Sequence, residues 1–187
     1  MKRRNLEPII LDTSLRLFRD SGFDNVSVMD ICEACDITKP TFYRYAVTKG
    51  DLLPLYFKRI CQNMDPAWHD VNQQGSWYGC IEAGFLGILE PFLEYGTDFC
   101  MQFYIQNIKT ETDMFHVNTS FKPQMIECLH QAQLSGDILD NHSPEDLFAT
   151  LVTSMVGCGG HWILTDCEFD IMERFHTILA VVCEKVS

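Results

Sequence analysis

Apolar residues recur at helical spacing along most of this chain, and short polar stretches interrupt them. From Leu6 to Ser21 the apolar positions fall three or four residues apart, and Gly22 follows as a residue that can end a helix. Further helical stretches cover 77–95, 99–108 and about 120–136. Strand-type alternation of useful length is absent, so the pattern predicts an all-α protein.

The stretch Ser27–Leu53 predicts two short helices joined by a tight turn and followed by the start of a third. Two pairs have the spacing of capping boxes at helix starts: Ser27 with Asp30, and Thr48 with Asp51. Asp36 interrupts the helical period at the turn, and Thr38 is placed to cap the second helix. This is the anatomy of a helix-turn-helix, whose second helix enters the DNA major groove. A capped surface pair in an unrelated bundle has the same pattern, because short helical pairs are common.

Residues Ile9 to Leu53 resemble the DNA-binding domain of the TetR family of transcriptional regulators. The matching positions occur in order and without gaps: Ile10, Leu17-Phe18, Gly22-Phe23, Ser27-Val28, Asp30-Ile31, Ala34, Ile37-Thr38, Thr41-Phe42-Tyr43, Lys49 and Leu52-Leu53. Beyond this first third, the chain matches the family only in length and helical character. Several positions depart from the family pattern: Thr13-Ser14 replace two alanines, Cys32 and Cys35 replace small alanines, Asp36 replaces a turn glycine, Ala46 replaces a phenylalanine, and Pro54 lies early in the fourth helix.

The resemblance implies a division into two domains. A three-helix helix-turn-helix domain would cover 1–48, and a fourth helix at about 49–63 would connect it to the rest of the chain. A larger helical bundle at 64–187 would bind a ligand and form a dimer. The polar stretch Asp65–Ser76, which contains a proline and a glycine, fits a boundary or a loop.

The resemblance also places candidate DNA-binding residues on and around the recognition helix, Thr38–Tyr45. Those expected to read or approach bases are Thr38, Lys39, Thr41 and Arg44, and those expected to hold phosphates are Ser27, Tyr43, Tyr45 and Lys49. Arg3 and Arg4 belong to a basic arm that would reach phosphates or the minor groove. A solvated terminus explains that arm equally well.

Charge is distributed unevenly along the chain. The formal net charge of the whole chain is -12, which is unusual for a protein that binds DNA. Residues 1–60 carry +2, whereas residues 61–187 carry -14. The only basic part of the chain is therefore the part with the DNA-binding pattern, and the acidic remainder would be repelled by DNA.

The second part of the chain is rich in aromatic side chains, most of which are expected to be core. In TetR-like proteins this part holds an inducer in a mostly apolar cavity, the usual form of a small-molecule site. The residues predicted to line such a cavity are Phe99, Phe103, Met125 and His161. The effector itself is not identified by the sequence.

A strong helix start, Ser143-Pro144-Glu145-Asp146, precedes a stretch, Leu147–Thr165, without Asp, Glu, Lys or Arg. Its length could span a membrane, but its threonines, glycines and histidine favour a helix buried on most sides in protein. The resemblance places 147–164 and 171–186 in a four-helix interface between two copies of the chain. The alternative is that these helices close the core of a single copy.

Together these features predict a cytoplasmic, ligand-responsive transcriptional regulator. It would be a repressor that acts as a homodimer on palindromic double-stranded DNA and is released by a small-molecule inducer. No metal or cofactor is predicted, and the nine cysteines are expected to be reduced thiols. The absence of a nucleophile elbow, a phosphate loop and an HExxH pair argues against an enzyme. The alternative is an interaction module that keeps the helix-turn-helix as a scaffold.

Overall fold

The computed structural model describes residues 6–62, 75–109 and 120–185, which form helices joined by turns. The helices are α1 (Glu7–Ser21), α2 (Val28–Cys35), α3 (Lys39–Phe42), α4 (52–62), α5 (Trp77–Leu93), α6 (Gly96–Lys109), α7 (Phe121–Ser135), α8 (Pro144–Leu164) and α9 (Ile171–Val182). A 3₁₀ turn, Lys49–Asp51, leads into α4. Within these ranges the only strand-type pairing is an isolated bridge between Ile138 and Lys185. The predicted all-α class is confirmed.

The chain divides into two compact units. The first contains residues 1–58 and 92–112, and the second contains residues 59–91 and 113–187. Helix α6 therefore packs with the N-terminal helices, although the sequence analysis assigned all residues after 63 to a single second domain. The division by function into 1–48, 49–63 and 64–187 stays a prediction.

In the first unit, α1 buries one face and ends where the sequence predicts. Its buried side chains lie at helical spacing: Ile10, Leu11, Ser14, Leu15 and Phe18. Gly22 follows with a φ of 80°, a left-handed value that glycine adopts without steric cost, and its N–H bonds to the Phe18 carbonyl. This stop allows the chain to turn toward α2.

An aromatic cluster forms the centre of the first unit. It consists of Phe18, Phe23, Tyr56, Phe57, Phe92, Tyr95, Phe99 and Phe103. Phe99 has neighbours from four separate segments of the unit, including Phe18 at 6.3 Å between ring centroids and Tyr95 at 4.7 Å. Burying a phenylalanine contributes about 1.5–3 kcal/mol. The rings contributed by α6 are thus part of the core on which α1 and α4 rest.

The second unit has an aromatic core of its own. Phe85 of α5 lies within 6.2 Å of rings on three other helices: Phe121, Phe148 and Phe175. Helix α5 continues through Pro91, although a proline inside a helix removes one backbone hydrogen bond. Helix α7 begins after Ser120 and ends at Gly136, as the sequence predicts.

Helix α8 starts as the sequence predicts and is half covered. Ser143 caps it through the Asp146 N–H, and Pro144 is its first residue. Its buried residues fall on one side: Leu147, Phe148, Leu151, Val152, Met155 and Gly159. Other faces are exposed in the single chain, so the expectation of burial on most sides is not met there. Among the described residues α8 is also the one helix long and apolar enough to cross a membrane by length and composition.

Candidate nucleic-acid interface

Helix α2 begins with the predicted capping box. The Asp30 N–H donates to the Ser27 hydroxyl at 3.2 Å, while the Ser27 N–H and hydroxyl both donate to the Asp30 carboxylate at 2.7 Å. Hydrogen bonds from the Ser27 side chain and then its backbone lower the pKa of Asp30. The Ser27 donors are thus directed at Asp30, and its contact with a phosphate stays a prediction.

The turn between α2 and α3 depends on a left-handed residue at Asp36. Asp36 has a φ of 53° and a ψ of 48°, and the Ile37 N–H bonds to the Cys32 carbonyl at 2.9 Å. Aspartate tolerates this conformation better than most residues, which explains how it replaces the family's glycine. The turn sets the direction in which the recognition segment leaves α2.

The recognition segment is shorter as a helix than the sequence predicts. Only Lys39–Phe42 is α-helical, and the chain continues through 43–45 as turns. Thr38 stands at the N-cap with an extended backbone, but its side chain makes no capping bond. Its hydroxyl lies instead 3.0 Å from the Thr41 hydroxyl. The prediction that the Thr38 side chain caps α3 is therefore wrong, because its hydroxyl pairs with Thr41 and not with a backbone N–H. Thr38 and Thr41 present two adjacent hydroxyls near the start of α3.

Phe42 anchors the recognition segment and leaves its polar neighbours outside. Phe42 is fully buried, whereas Lys39, Tyr43 and Arg44 are exposed. The Tyr43 ring is 49% exposed and meets the Phe42 ring edge-on at 5.7 Å. Within the described part of the chain, the Arg44 guanidinium has neither a hydrogen bond nor an ion pair. The segment thus holds a hydroxyl pair, a phenol and two cations on a fixed support.

Lys49 has a structural role that the sequence analysis did not foresee. Its ammonium donates to the carbonyls of Phe23 at 2.6 Å, Val26 at 2.9 Å and Asp24 at 3.3 Å, and lies 4.4 Å from the centre of the Phe23 ring. Burial lowers the pKa of Lys49. Three carbonyls use all three ammonium protons, so a phosphate contact by Lys49, which stays a prediction, requires one of these bonds to be exchanged.

The remaining predicted DNA-binding residues differ in their surroundings. Tyr45 is half-buried, and its N–H bonds to the Phe42 carbonyl at 2.8 Å. Arg3 and Arg4 lie outside the described residues. Sequence reasoning did not single out Val47, which is 76% exposed beside the recognition segment. The local sequence does not indicate that Val47 is exposed, because an apolar residue at that position is normally expected to lie in the core.

The four residues predicted to line a ligand cavity do not fall in one unit. Phe99 and Phe103 belong to the first unit and are buried in its aromatic cluster. Met125 and His161 belong to the second unit, where Met125 is fully buried and His161 is exposed with its ring 5.5 Å from Phe169. Their role in ligand binding stays a prediction.

The second unit has a cleft of about 220 Å³ between the start of α8 and the end of α9. It is lined by Asn141, His142, Asp146, Leu147, Thr150, Val181, Val182 and Glu184, none of which was predicted to bind a ligand. Within the described ranges, no three His, Cys, Asp or Glu residues are grouped in a way that could hold a metal ion.

Sequence comparison matches the N-terminal part of the chain. The sequence model of the family described as "Bacterial regulatory proteins, tetR family" matches residues 10–54. The HTH-type transcriptional regulator YuxN of Bacillus subtilis (strain 168) is 40% identical over 47 residues, which are 25% of this chain and 16% of that protein. The chain therefore matches only about a sixth of the length of this relative.

Comparison with solved structures extends the similarity along nearly the whole chain. FadR of Thermus thermophilus, a TetR-family repressor solved with lauroyl-CoA, has a TM-score of 0.75 at 16% identity and covers 94% of this chain and 92% of its own. Reduced NemR of E. coli has a TM-score of 0.66 at 13% identity and covers 98% of this chain and 100% of its own. Residues 10–54 thus match the sequence model of the TetR family, and the fold along nearly the whole chain is similar to that of solved TetR-family structures.

Proposed function

We propose that this chain is a transcriptional regulator that binds operator DNA through α2, α3 and the turn between them. The observation that carries the proposal is the exposed set Thr38, Lys39, Tyr43 and Arg44, held outward by the buried Phe42. Hydroxyls and cations on such a segment suit hydrogen bonds to base edges and phosphates. The positive charge of residues 1–60, in a chain of net charge -12, favours the same surface.

The regulator acts as a homodimer on a palindromic site. Two recognition segments are needed because one copy offers few cations, and a two-fold dimer places them in successive major grooves. The exposed side of α8 and α9 supports this assembly, since Leu164 is 86% and Val181 is 68% exposed. The face contains small residues as well, which allow two helices to approach closely.

We assign it the role of a cytoplasmic repressor released by a small-molecule effector, and no catalytic role. An effector shifts the balance between DNA-competent and incompetent states only if it prefers one of them. Lauroyl-CoA is the first effector probe to use, because FadR of Thermus thermophilus, which has a similar fold, was solved with it. Release of the purified protein from operator DNA by this probe supports the assignment, and a panel of other amphipathic acids follows if it fails.

Operator binding is tested by fluorescence anisotropy with the intergenic DNA upstream of the protein's own gene, at two salt concentrations, against a scrambled duplex. We expect selective binding that weakens as salt rises, because each neutralised phosphate releases a counterion. The double variant Tyr43→Ala with Arg44→Ala should lose at least about 100-fold in affinity, since contacts of this kind contribute about 1–3 kcal/mol each and a dimer has two copies.

Lys122→Ala is the charge-matched control, because Lys122 lies on α7 in the second unit, outside both the recognition segment and the pair α8–α9. If the double variant binds the operator as tightly as the wild type, the recognition segment does not read DNA. Equal and weak binding of wild type to both duplexes instead favours the interaction module, in which the helix-turn-helix is only a scaffold.

A further inference from the structure

A hydrogen bond joins α6 to the turn that follows the recognition segment. The Gln106 side-chain amide donates to one Asp51 carboxylate oxygen at 2.9 Å, across 55 residues of sequence. The other Asp51 oxygen accepts the Thr48 N–H at 2.7 Å and closes the 3₁₀ turn. One carboxylate therefore shapes the turn and also connects it to α6.

Gly50 provides the space for this contact. A Cβ placed on Gly50 would lie 2.8 Å from the Gln106 Oε1 atom, closer than real Cβ contacts come, and 3.2 Å from its Cδ atom, so the end of the Gln106 side chain would have to move. The φ of Gly50 is not in the left-handed region, so the backbone there does not itself require glycine. The absence of a side chain at position 50 matters because the Gln106 amide lies against it.

Helix α6 touches the same part of the unit a second time, one turn earlier. The Gln102 amide donates to the Asp24 carboxylate at 3.3 Å, in the loop between α1 and α2. Lys49 binds the carbonyls of that same loop. The contacts of Gln102 with Asp24, of Lys49 with the loop carbonyls and of Gln106 with Asp51 thus hold α6, the loop at 23–26 and the 3₁₀ turn to one another.

We propose that Gln106 is a positioning residue for operator binding, which fixes the turn at Thr48–Asp51 and with it the recognition segment that ends three residues earlier. The inference rests on the proposed function and adds a residue outside the helix-turn-helix to it. Gln106 touches no DNA. It acts through Asp51, and Gly50 is the small residue that admits its amide.

The test is a double-mutant cycle of Gly50→Ala and Gln106→Ala, with operator affinity, selectivity over scrambled DNA and thermal unfolding measured for each protein. We expect each single variant to lose about 10-fold in operator affinity. Its selectivity for the operator over scrambled DNA should fall, while its melting temperature should stay close to that of the wild type. In the Gln106→Ala background, Gly50→Ala should cost little more, because the atoms that its methyl group would strike are gone. Additive losses, or a fall in melting temperature with affinity and selectivity intact, would overturn the proposal.

Two further variants separate the hydrogen bond from side-chain size. Gln106→Glu keeps the length but replaces the donor by a second carboxylate facing Asp51, so it should weaken operator binding more than Gln106→Ala. Gln102→Ala removes the longer and more exposed of the two hydrogen bonds that α6 makes, so it should change operator affinity less than about threefold. An effect of Gln102→Ala equal to that of Gln106→Ala would assign the positioning to α6 as a whole and refute the specific role of Gln106.

Amide hydrogen exchange tests whether Gln106 fixes the turn at Thr48–Asp51, and it does so independently of operator binding. In Gln106→Ala we expect the amides of 48–53 and 38–42 to exchange at least about fivefold faster, while those of α7 are unchanged. If the wild type binds no operator, the proposed function fails but this exchange pattern still supports the positioning of the turn. Unchanged exchange at 48–53 refutes it, whatever the DNA measurements give.

Discussion

The helix pair α2–α3 in the first unit and the helix pair α8–α9 in the second differ in what they expose. From α2 through the turns that follow α3, the chain exposes hydroxyls, a phenol and cations, and the large apolar side chain of α3, Phe42, is buried, although Met29 of α2 is exposed. The exposed residues of α8–α9 include small and apolar ones, such as Gly157, Leu164 and Val181, beside polar ones. A polar surface with free cations suits a phosphate-rich partner, whereas an apolar surface suits another protein surface. This difference is the one that the proposed DNA contact and the proposed dimer require.

The largest effect should come from filling the exposed side of α8. A Cβ placed at Gly157 would meet nothing within 4 Å among the described residues, so Gly157→Leu should leave the single copy folded, and leucine favours the helix more than glycine does. It should weaken the homodimer at least about 100-fold by blocking close approach of a second copy. Analytical ultracentrifugation of Gly157→Leu measures this, with Gly79→Ala on α5 as the control for changing a helical glycine. A dimer of unchanged strength would remove α8 from the interface.

Alkaline pH should destabilise the second unit through its buried thiols. Burial raises the pKa of Cys128 to about 12 and that of Cys183 to about 11, from 9.0 in the unfolded chain. The folded state therefore keeps these protons longer than the unfolded state does, so the stabilisation is complete below pH 9 and declines as the pH rises toward 12. At pH 11 the loss should be on the order of 2 kcal/mol for each thiol.

Chemical denaturation between pH 8 and pH 11 checks this pH dependence. Cys128→Ala should show a shallower decline of the free energy of unfolding with pH than the wild type. Cys35→Ala, which removes a partly exposed thiol from the first unit, should keep the wild-type slope. Parallel slopes for all three proteins would contradict the burial argument.

A smaller effect is expected at Ser14 in α1. Its hydroxyl is fully buried and has no hydrogen-bond partner among the described residues. Leaving a buried hydroxyl unpaired costs about 1–3 kcal/mol, so Ser14→Ala should raise the free energy of unfolding by about 1 kcal/mol. Urea denaturation measures the change, and an unchanged or lower midpoint would show that the hydroxyl is satisfied.

Effects of the same size or smaller are expected from exchanging glycine and aspartate at two left-handed positions. Asp36→Gly removes the steric cost of a φ of 53° in the first unit, but glycine gains freedom in the unfolded chain, so the net stabilisation should be about 0.5 kcal/mol. Gly136→Asp makes the reverse exchange in the second unit at a φ of 78° and should destabilise by about 1 kcal/mol. Thermal unfolding of both variants tests whether glycine is more stable than aspartate at both left-handed positions.

Local chemistry explains which features the sequence could predict. The capping boxes at Ser27 and Thr48, the glycine that ends α1 and the proline that starts α8 were predicted correctly, because the groups involved lie within four residues of one another. The Thr38 cap failed because its hydroxyl had a second partner within reach, at Thr41.

Contacts between distant segments could not be predicted in the same way. Nothing near Gln106 indicates Asp51, and nothing near Lys49 indicates the carbonyls of 23–26, because these contacts depend on how the helices cross. Some of the aromatic residues are likewise predicted from the sequence to line a cavity. In the structure Phe99, Phe103, Phe85 and Phe148 pack into two separate aromatic clusters, one in each unit.

The first unit is built from two separate segments of the chain, 1–58 and 92–112, and this affects both truncated fragments and folding during synthesis. The rings of Phe18 and Phe23 rest on Phe99, so a fragment that stops after residue 58 would leave much of their surface in water. Such a fragment should be prone to aggregation even though it contains the whole matched domain. During synthesis the N-terminal helices must also wait for α6 to emerge before their core is complete, which leaves an interval in which chaperones can bind them.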